Sequence, residues 1–304
     1  DASTPSGTTN VTGNVISNAS ITQNILNVGA SDNTTSSLES NSAISATTTN
    51  IYGTLDNNAD LASSINVYAN GKLYSDADNV KGSINNAGVV ELEGGTLGYS
   101  LTGDSGRLNV VSDTINNSTI SQGTISVSSG TTLTNNATHD ITVKTLLSNS
   151  GTIDNNGIFN MDASGSNIGE VTGSGTLNIN ANAVNNGTIS QGTVNNNGVL
   201  TNSTTITATS IVNDGTINST AQITGAITNN IGATITSSAD NLNGAVTNNG
   251  LLNILGGTTQ NTISGNGVTD IQGDTTIAHA ISGNSLILDN GTTTTVTTGS
   301  LTLS

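Results

Sequence analysis

A glycine returns at a near-constant interval through the second half of the chain. Gly198, Gly215, Gly232, Gly250, Gly267, Gly283 and Gly299 follow one another at steps of 17, 17, 18, 17, 16 and 16 residues. Several sit in the same local context: Asn196-Asn197-Gly198-Val199-Leu200, Asn213-Asp214-Gly215-Thr216-Ile217 and Asn248-Asn249-Gly250-Leu251-Leu252. A fixed period of this size belongs to a solenoid, in which each repeat is one coil that buries its apolar face only against its neighbours. At about 17 residues per coil, the chain is expected to make roughly 18 coils.

The local pattern specifies strands. Thr205-Ile206-Thr207-Ala208-Thr209, Leu177-Asn178-Ile179-Asn180 and Thr234-Ile235-Thr236 alternate β-branched or Leu residues with polar ones. That period of two sends apolar side chains inward and Thr or Asn outward. Asn-Asn-Gly, Asn-Asp-Gly and Ser-Gly steps break the strands, and corner residues of this kind tolerate the positive φ of a sharp bend. Helix formers are scarce. The expected fold is therefore all-β, a right-handed parallel β-helix (β-solenoid) with coils of about 17 residues. Matching positions in such a fold stack from coil to coil, so internal Asn residues can satisfy one another's amides along the axis. The segment 116–136 resembles 185–202 at an offset of 69 residues, close to four coils. Residues 1–84 are less regular than 85–304, and 30–47 read as a longer loop. No linker divides the chain, so residues 1–304 are expected to form one domain.

Composition narrows the function classes. The chain has 304 residues, 36 Gly, one Pro, no Cys, no Trp and a net charge of −16. Its four cations, Lys72, Lys81, Arg107 and Lys144, are too few and scattered for a phosphate-binding surface, so no nucleic acid partner is expected. No run of about 18 apolar residues occurs, so no membrane-spanning helix is expected. The absence of cysteine fits a secreted protein stabilised by repetition. The start at Asp1 fits a mature form after signal removal and equally an excised fragment.

Strings such as Asn185-Asn186-Gly187-Thr188-Ile189 and Ser150-Gly151-Thr152-Ile153 resemble the right-handed parallel β-helix passengers of bacterial autotransporters and related secreted surface adhesins. The resemblance covers most of residues 85–304. It implies secretion, display at the cell surface, and adhesion or aggregation through a host or neighbouring-cell glycan or protein. With no translocator barrel inside these 304 residues, the chain is expected to be a passenger without its anchor or a different secreted solenoid.

Catalytic, cofactor and metal sites are not expected. His139 and His279 lie 140 residues apart, and the acid pairs Asp154/Asp162 and Glu91/Glu93 come without aromatic platforms or clustered cations. Asp76, Asp78 and Asn79 form a compact acidic corner, yet the ordered calcium nonapeptide of β-rolls is missing. Thr-x-Thr pairs fall out of register with the coil, against an ice-binding array. The aromatics are the asymmetric feature: Tyr52, Tyr68, Tyr74 and Tyr99 all precede residue 100 and are candidates for partner binding, with Tyr68 and Tyr74 close enough to share a coil. They could equally cap the loose end of the solenoid. Finally, Val11 and Val15 begin the apolar pattern early and Leu301 and Leu303 carry it to the last residues. These four are candidates for end-to-end contact in a homopolymer, the alternative to an adhesin.

Overall fold

A computed structural model describes residues 6–283 and 285–303, with the side chain of Leu303 outside the description. The protein is all-β, about 2% helical, and forms a parallel β-solenoid of about 16 turns at a spacing near 18 residues. The residues group into two compact units, Asp1–Ile158 and Phe159–Ser304.

In the first unit, parallel strands stack in register, and each apolar position falls on its equivalent in the next coil. Leu38, Leu55, Leu73, Val90, Leu108, Ile125 and Leu147 form one such column. All seven are at most 1% exposed, which marks the column as core. Full burial of each such side chain contributes about 1.5–3 kcal/mol, so the column is a main source of stability. Coil length varies more here than a 17-residue period allows. Thr48 to Ser64 is 16 residues, whereas Ile25 to Thr48 is 23. The long step arises at Gly29–Ser36, which leaves the coil and returns. Gly29 has φ +78°, and Ala30 and Asn33 exchange backbone hydrogen bonds of 2.9 and 3.0 Å. The expected loop over 30–47 is therefore too long: Ser37–Ser40 and Ile44–Ile51 are paired strands. Such excursions lengthen the mean coil, and the turn count falls below 18.

The second unit keeps a steadier period. Its core column runs Leu177, Val194, Ile211, Ile227, Val246, Ile263 and Ile281, and Leu301 continues the register with an exposed side chain. The glycine ladder has a physical reason other than the expected positive φ. At Gly198, Gly215, Gly250 and Gly267 a Cβ would collide with backbone of the preceding coil, for Gly215 the carbonyl of Gly198. None of the four has positive φ. The register also corrects the ladder at three rungs, Gly232, Gly283 and Gly299, the last of which lies against His279 and outside the Gly267 column. Thr216 pairs with Thr234 and Thr234 with Leu251, so Ala233, not Gly232, occupies the column. Gly232 turns an enlarged corner at φ +84°, beside an Ile231 that is 88% exposed. Gly283 ends the strand Ile281–Gly283 and stands outside the column.

Inside the second unit, Asn196, Asn213, Asn229 and Asn248 stack as an amide ladder. Each Nδ2 donates to the next Oδ1, at 2.7, 2.8 and 2.8 Å, and all four side chains are at most 2% exposed. In the first unit Asn116, Asn135 and Asn155 do the same at 2.8 Å each. Stacked amides answer each other's donors and acceptors, which is how polar side chains survive in a narrow interior.

Candidate binding surface

Two of the four candidate tyrosines come together. Tyr52 follows Ile44–Ile51 and Tyr68 follows Leu61–Val67, so both stand at the same corner one coil apart. The corner is fixed by backbone hydrogen bonds from Tyr52 N to Val28 O and from Tyr68 N to Ile51 O, 2.9 Å each. The rings stack with centroids 4.1 Å apart and planes 9° apart. One coil before and one after, the equivalent bonds are made by Gly29 to Val11 and Ala87 to Val67. The column thus reads Gly29, Tyr52, Tyr68, Ala87. Neither end has a side chain large enough to cover a ring. Tyr68 remains 40% exposed and Tyr52 is half-buried. A hydrogen bond with the Tyr68 hydroxyl, then burial, then the proximity of that phenol hold the Tyr52 hydroxyl above the usual phenol range.

Beside the tyrosines runs an outward amide ladder. Asn27 Nδ2 donates to Asn10 Oδ1 at 2.7 Å, Asn50 to Asn27 at 2.9 Å and Asn66 to Asn50 at 3.0 Å. The ladder and the stack share a face because Asn50 and Tyr52, like Asn66 and Tyr68, are two residues apart. The Gly29–Ser36 excursion forms the opposite wall. It is held by Thr35 Oγ1 donating to Asn33 Oδ1 at 3.0 Å and Asn33 Nδ2 donating to Thr12 O at 3.3 Å. Two clefts result. One of about 200 Å³ is lined by Ser31, Thr34, Tyr52, Tyr68, Ala69 and Asn70. The other, about 230 Å³, is lined by Asn10, Asn27, Gly29, Ala30, Ser31 and Tyr52. They meet at Ser31 and Tyr52, and their walls carry no Asp, Glu, Lys, Arg or His.

The other two tyrosines stand apart from the stack. Tyr74 shares a coil with Tyr68 but lies in a different ladder, in register between Asp56 and Glu91. Tyr99 is 43% exposed in the turn before Leu101–Val110. The ladder holding Tyr74 is acidic, with Glu39 in register with Asp56. Burial and the neighbouring Glu39 raise the Asp56 carboxyl above its usual range. Burial, then Asp56, Asp76 and Glu91, do the same to Glu93.

The acidic corner at residues 76–79 has a structural use. Asp78 Oδ1 accepts the Thr96 N–H of the next coil at 3.1 Å. Asp240 repeats the device in the second unit, accepting from Thr258 N at 3.0 Å. Among the described residues no three His, Asp or Glu side chains gather as a metal site. No described helix is long and apolar enough to cross a membrane. Of the end-contact candidates, Val11 is 5% exposed on the interior column with Val28, whereas Val15 and Leu301 are 43% and 40% exposed. Leu303 is paired through its backbone with Gly283, and its side chain lies outside the described residues.

Sequence reasoning singled out the tyrosines and missed the groups around them. The available signal was Asn-x-Tyr written twice, Asn50-Ile51-Tyr52 and Asn66-Val67-Tyr68, 16 residues apart and so one coil apart. No protein family, no curated protein and no solved structure matches this chain.

Proposed function

We propose that the protein is an extracellular, surface-displayed β-solenoid with a structural and adhesive role, and that it works by binding and not by turnover. The observation that carries this reading is the Gly29, Tyr52, Tyr68, Ala87 column, where an otherwise aromatic-poor wall presents a stacked pair with open faces between two clefts. Exposed aromatics flanked by hydrogen-bonding groups are the usual anchors of recognition. The resemblance of the Asn-Asn-Gly-Thr-Ile strings to autotransporter passengers supports secretion and surface display. The acidic, cysteine-free composition is compatible with it.

Beads coated with the folded protein test the reading. They are expected to adhere to epithelial or bacterial cells above albumin-coated beads. Adhesion no greater than albumin's would overturn it, as would polysaccharide turnover that disappears in Glu91→Gln. Electron microscopy of the same preparation checks the competing filament reading: separate particles support the adhesin, and uniform end-to-end filaments replace it.

A further inference from the structure

The chemistry of the two clefts narrows what they can hold. Their walls combine one aromatic pair with amides and hydroxyls: Asn10, Asn27, Asn70, Ser31 and Thr34. Amides and hydroxyls both donate and accept, and so match a ligand whose own polar groups do both. An anionic ligand would enter a chain of net charge −16 without meeting one lining cation. A cation would find no carboxylate in the walls. A purely apolar segment would strip water from the amides without replacing its hydrogen bonds, at a cost of about 1–3 kcal/mol per group. The pyranose ring fits these conditions, since it carries an apolar C–H face and a rim of neutral hydroxyls.

Size and spacing point the same way. Clefts of about 200 and 230 Å³ are smaller than the roughly 300–1,000 Å³ of drug-sized pockets, so each suits one ring and not a folded partner. Because they meet at Ser31 and Tyr52, two linked rings could occupy them in succession. The walls are also built before any ligand arrives. The stack, the Asn10, Asn27, Asn50, Asn66 ladder and the hydrogen-bonded excursion are already in place, which lowers the ordering cost of binding.

We propose that this surface is a binding site for a neutral oligosaccharide, with the Tyr52/Tyr68 stack as the platform and Asn10, Asn27, Ser31 and Thr34 as hydroxyl partners. The proposal rests on the adhesive reading above and names its ligand class. The chain offers a direct probe, because it has no Trp and only four Tyr, two of them in the stack. Tyrosine emission is followed during titration with cellotriose, maltotriose, N,N′,N″-triacetylchitotriose, lactose and 3′-sialyllactose. At least one neutral sugar is expected to give a saturable change in the millimolar range. Tyr68→Ala weakens it by about tenfold or more, while Tyr68→Phe and Tyr74→Ala retain it. Circular dichroism confirms that each variant keeps its β signal. If Tyr68→Ala alters the fold, Thr34→Ala and Asn70→Ala take its place and are expected to weaken binding. The proposal is overturned by no response to any neutral sugar, by unchanged affinity in Tyr68→Ala, or by sialyllactose binding more tightly than lactose. Beads that adhere although no sugar binds would remove this inference alone and favour a protein partner. Sugar binding without bead adhesion would instead remove the adhesive reading.

Discussion

Substituting Ile for Asn at two rungs of one buried ladder is expected to give two different losses of stability. The ladder begins at Asn196, because the preceding coil places Ile179 at that register. Asn196 Oδ1 accordingly has no donor among the described residues. Asn196→Ile shifts this boundary by one rung. Asn213 Oδ1 loses its donor, but the original orphan is gone, so one buried acceptor is unanswered before and after. Asn213→Ile instead cuts the ladder in the middle. Asn196 Oδ1 remains orphaned, and Asn229 Oδ1 loses the bond it now accepts at 2.8 Å. The remaining losses match. Asn196 gives up bonds to Gly198 O and Thr216 O at 3.1 and 3.0 Å. Asn213 gives up bonds to Gly215 O and Thr234 O at 3.2 and 2.9 Å. Both side chains are 0% exposed and both accept the same change of shape, so packing terms largely cancel. What survives is one orphaned acceptor and one amide bond, about 1–3 kcal/mol against the mid-ladder variant. Guanidinium unfolding followed by far-ultraviolet circular dichroism is the assay, with the lower midpoint expected for Asn213→Ile at an unchanged slope. Equal midpoints, or the larger loss at Asn196, would refute the view that the amides act as a chain in which each rung answers the next.

Acid should stabilise the fold through the carboxyl ladder. Asp56 and Glu93 bind protons more tightly folded than unfolded, so their penalty is present at neutral pH and fades as pH falls through their raised values. Asp56→Asn is expected to raise the thermal midpoint near neutral pH by the equivalent of about 0.2–1 kcal/mol and to flatten the response to acid, and an unchanged acid response would contradict this. At the Asp240 corner, Gly257→Ala should cost more than Gly232→Ala. Both glycines have positive φ, +96° and +84°, but a Cβ at Gly257 meets the Asp240 carboxylate and one at Gly232 meets open space. Strain alone costs about 1–3 kcal/mol, and equal denaturation midpoints would remove the role given to Asp240.

The repeat, the strand alternation and the stacked interior amides were legible because each follows from a local pattern repeated in register. What escaped depended on how much chain each corner consumes. Asn213 to Thr216 leaves two residues at the corner, Asn229 to Thr234 leaves four, and nothing in the glycine count says that Ala233 takes the column. A longer repeat also went unread. Residues 75–103 and 237–265 align without a gap at an offset of 162 residues and share Ala-Asp-Asn followed by Gly-Gly-Thr. These strings encode the Asp78 and Asp240 corners, where the glycines make room for a carboxylate one coil away. A device that recurs at an offset of 162 residues leaves no trace in the coil-length period. The tyrosine pair was visible as residue type, but its walls come from Asn10, Asn27 and Ser31, one or more coils earlier.

In a stacked architecture, a site arises where a column changes its residue type. A uniform column satisfies itself: Leu covers Leu, and an amide answers an amide. Where the type changes inside, as from Ile179 to Asn196, the boundary leaves a polar atom unanswered and the cost falls on stability. Where it changes outside, as from Gly29 to Tyr52 and from Tyr68 to Ala87, the boundary leaves ring faces uncovered, and the result is concave surface. Two tyrosines suffice for this because the small residues at either end keep the stack from continuing. A longer aromatic column would cover its own inner faces and offer only edges. Enlarging the end that can accept a side chain, by Ala87→Tyr, would therefore extend the stack and close the surface that the pair now presents, whereas Gly29 has φ +78° and leaves no room for a Cβ beside Asn33 O.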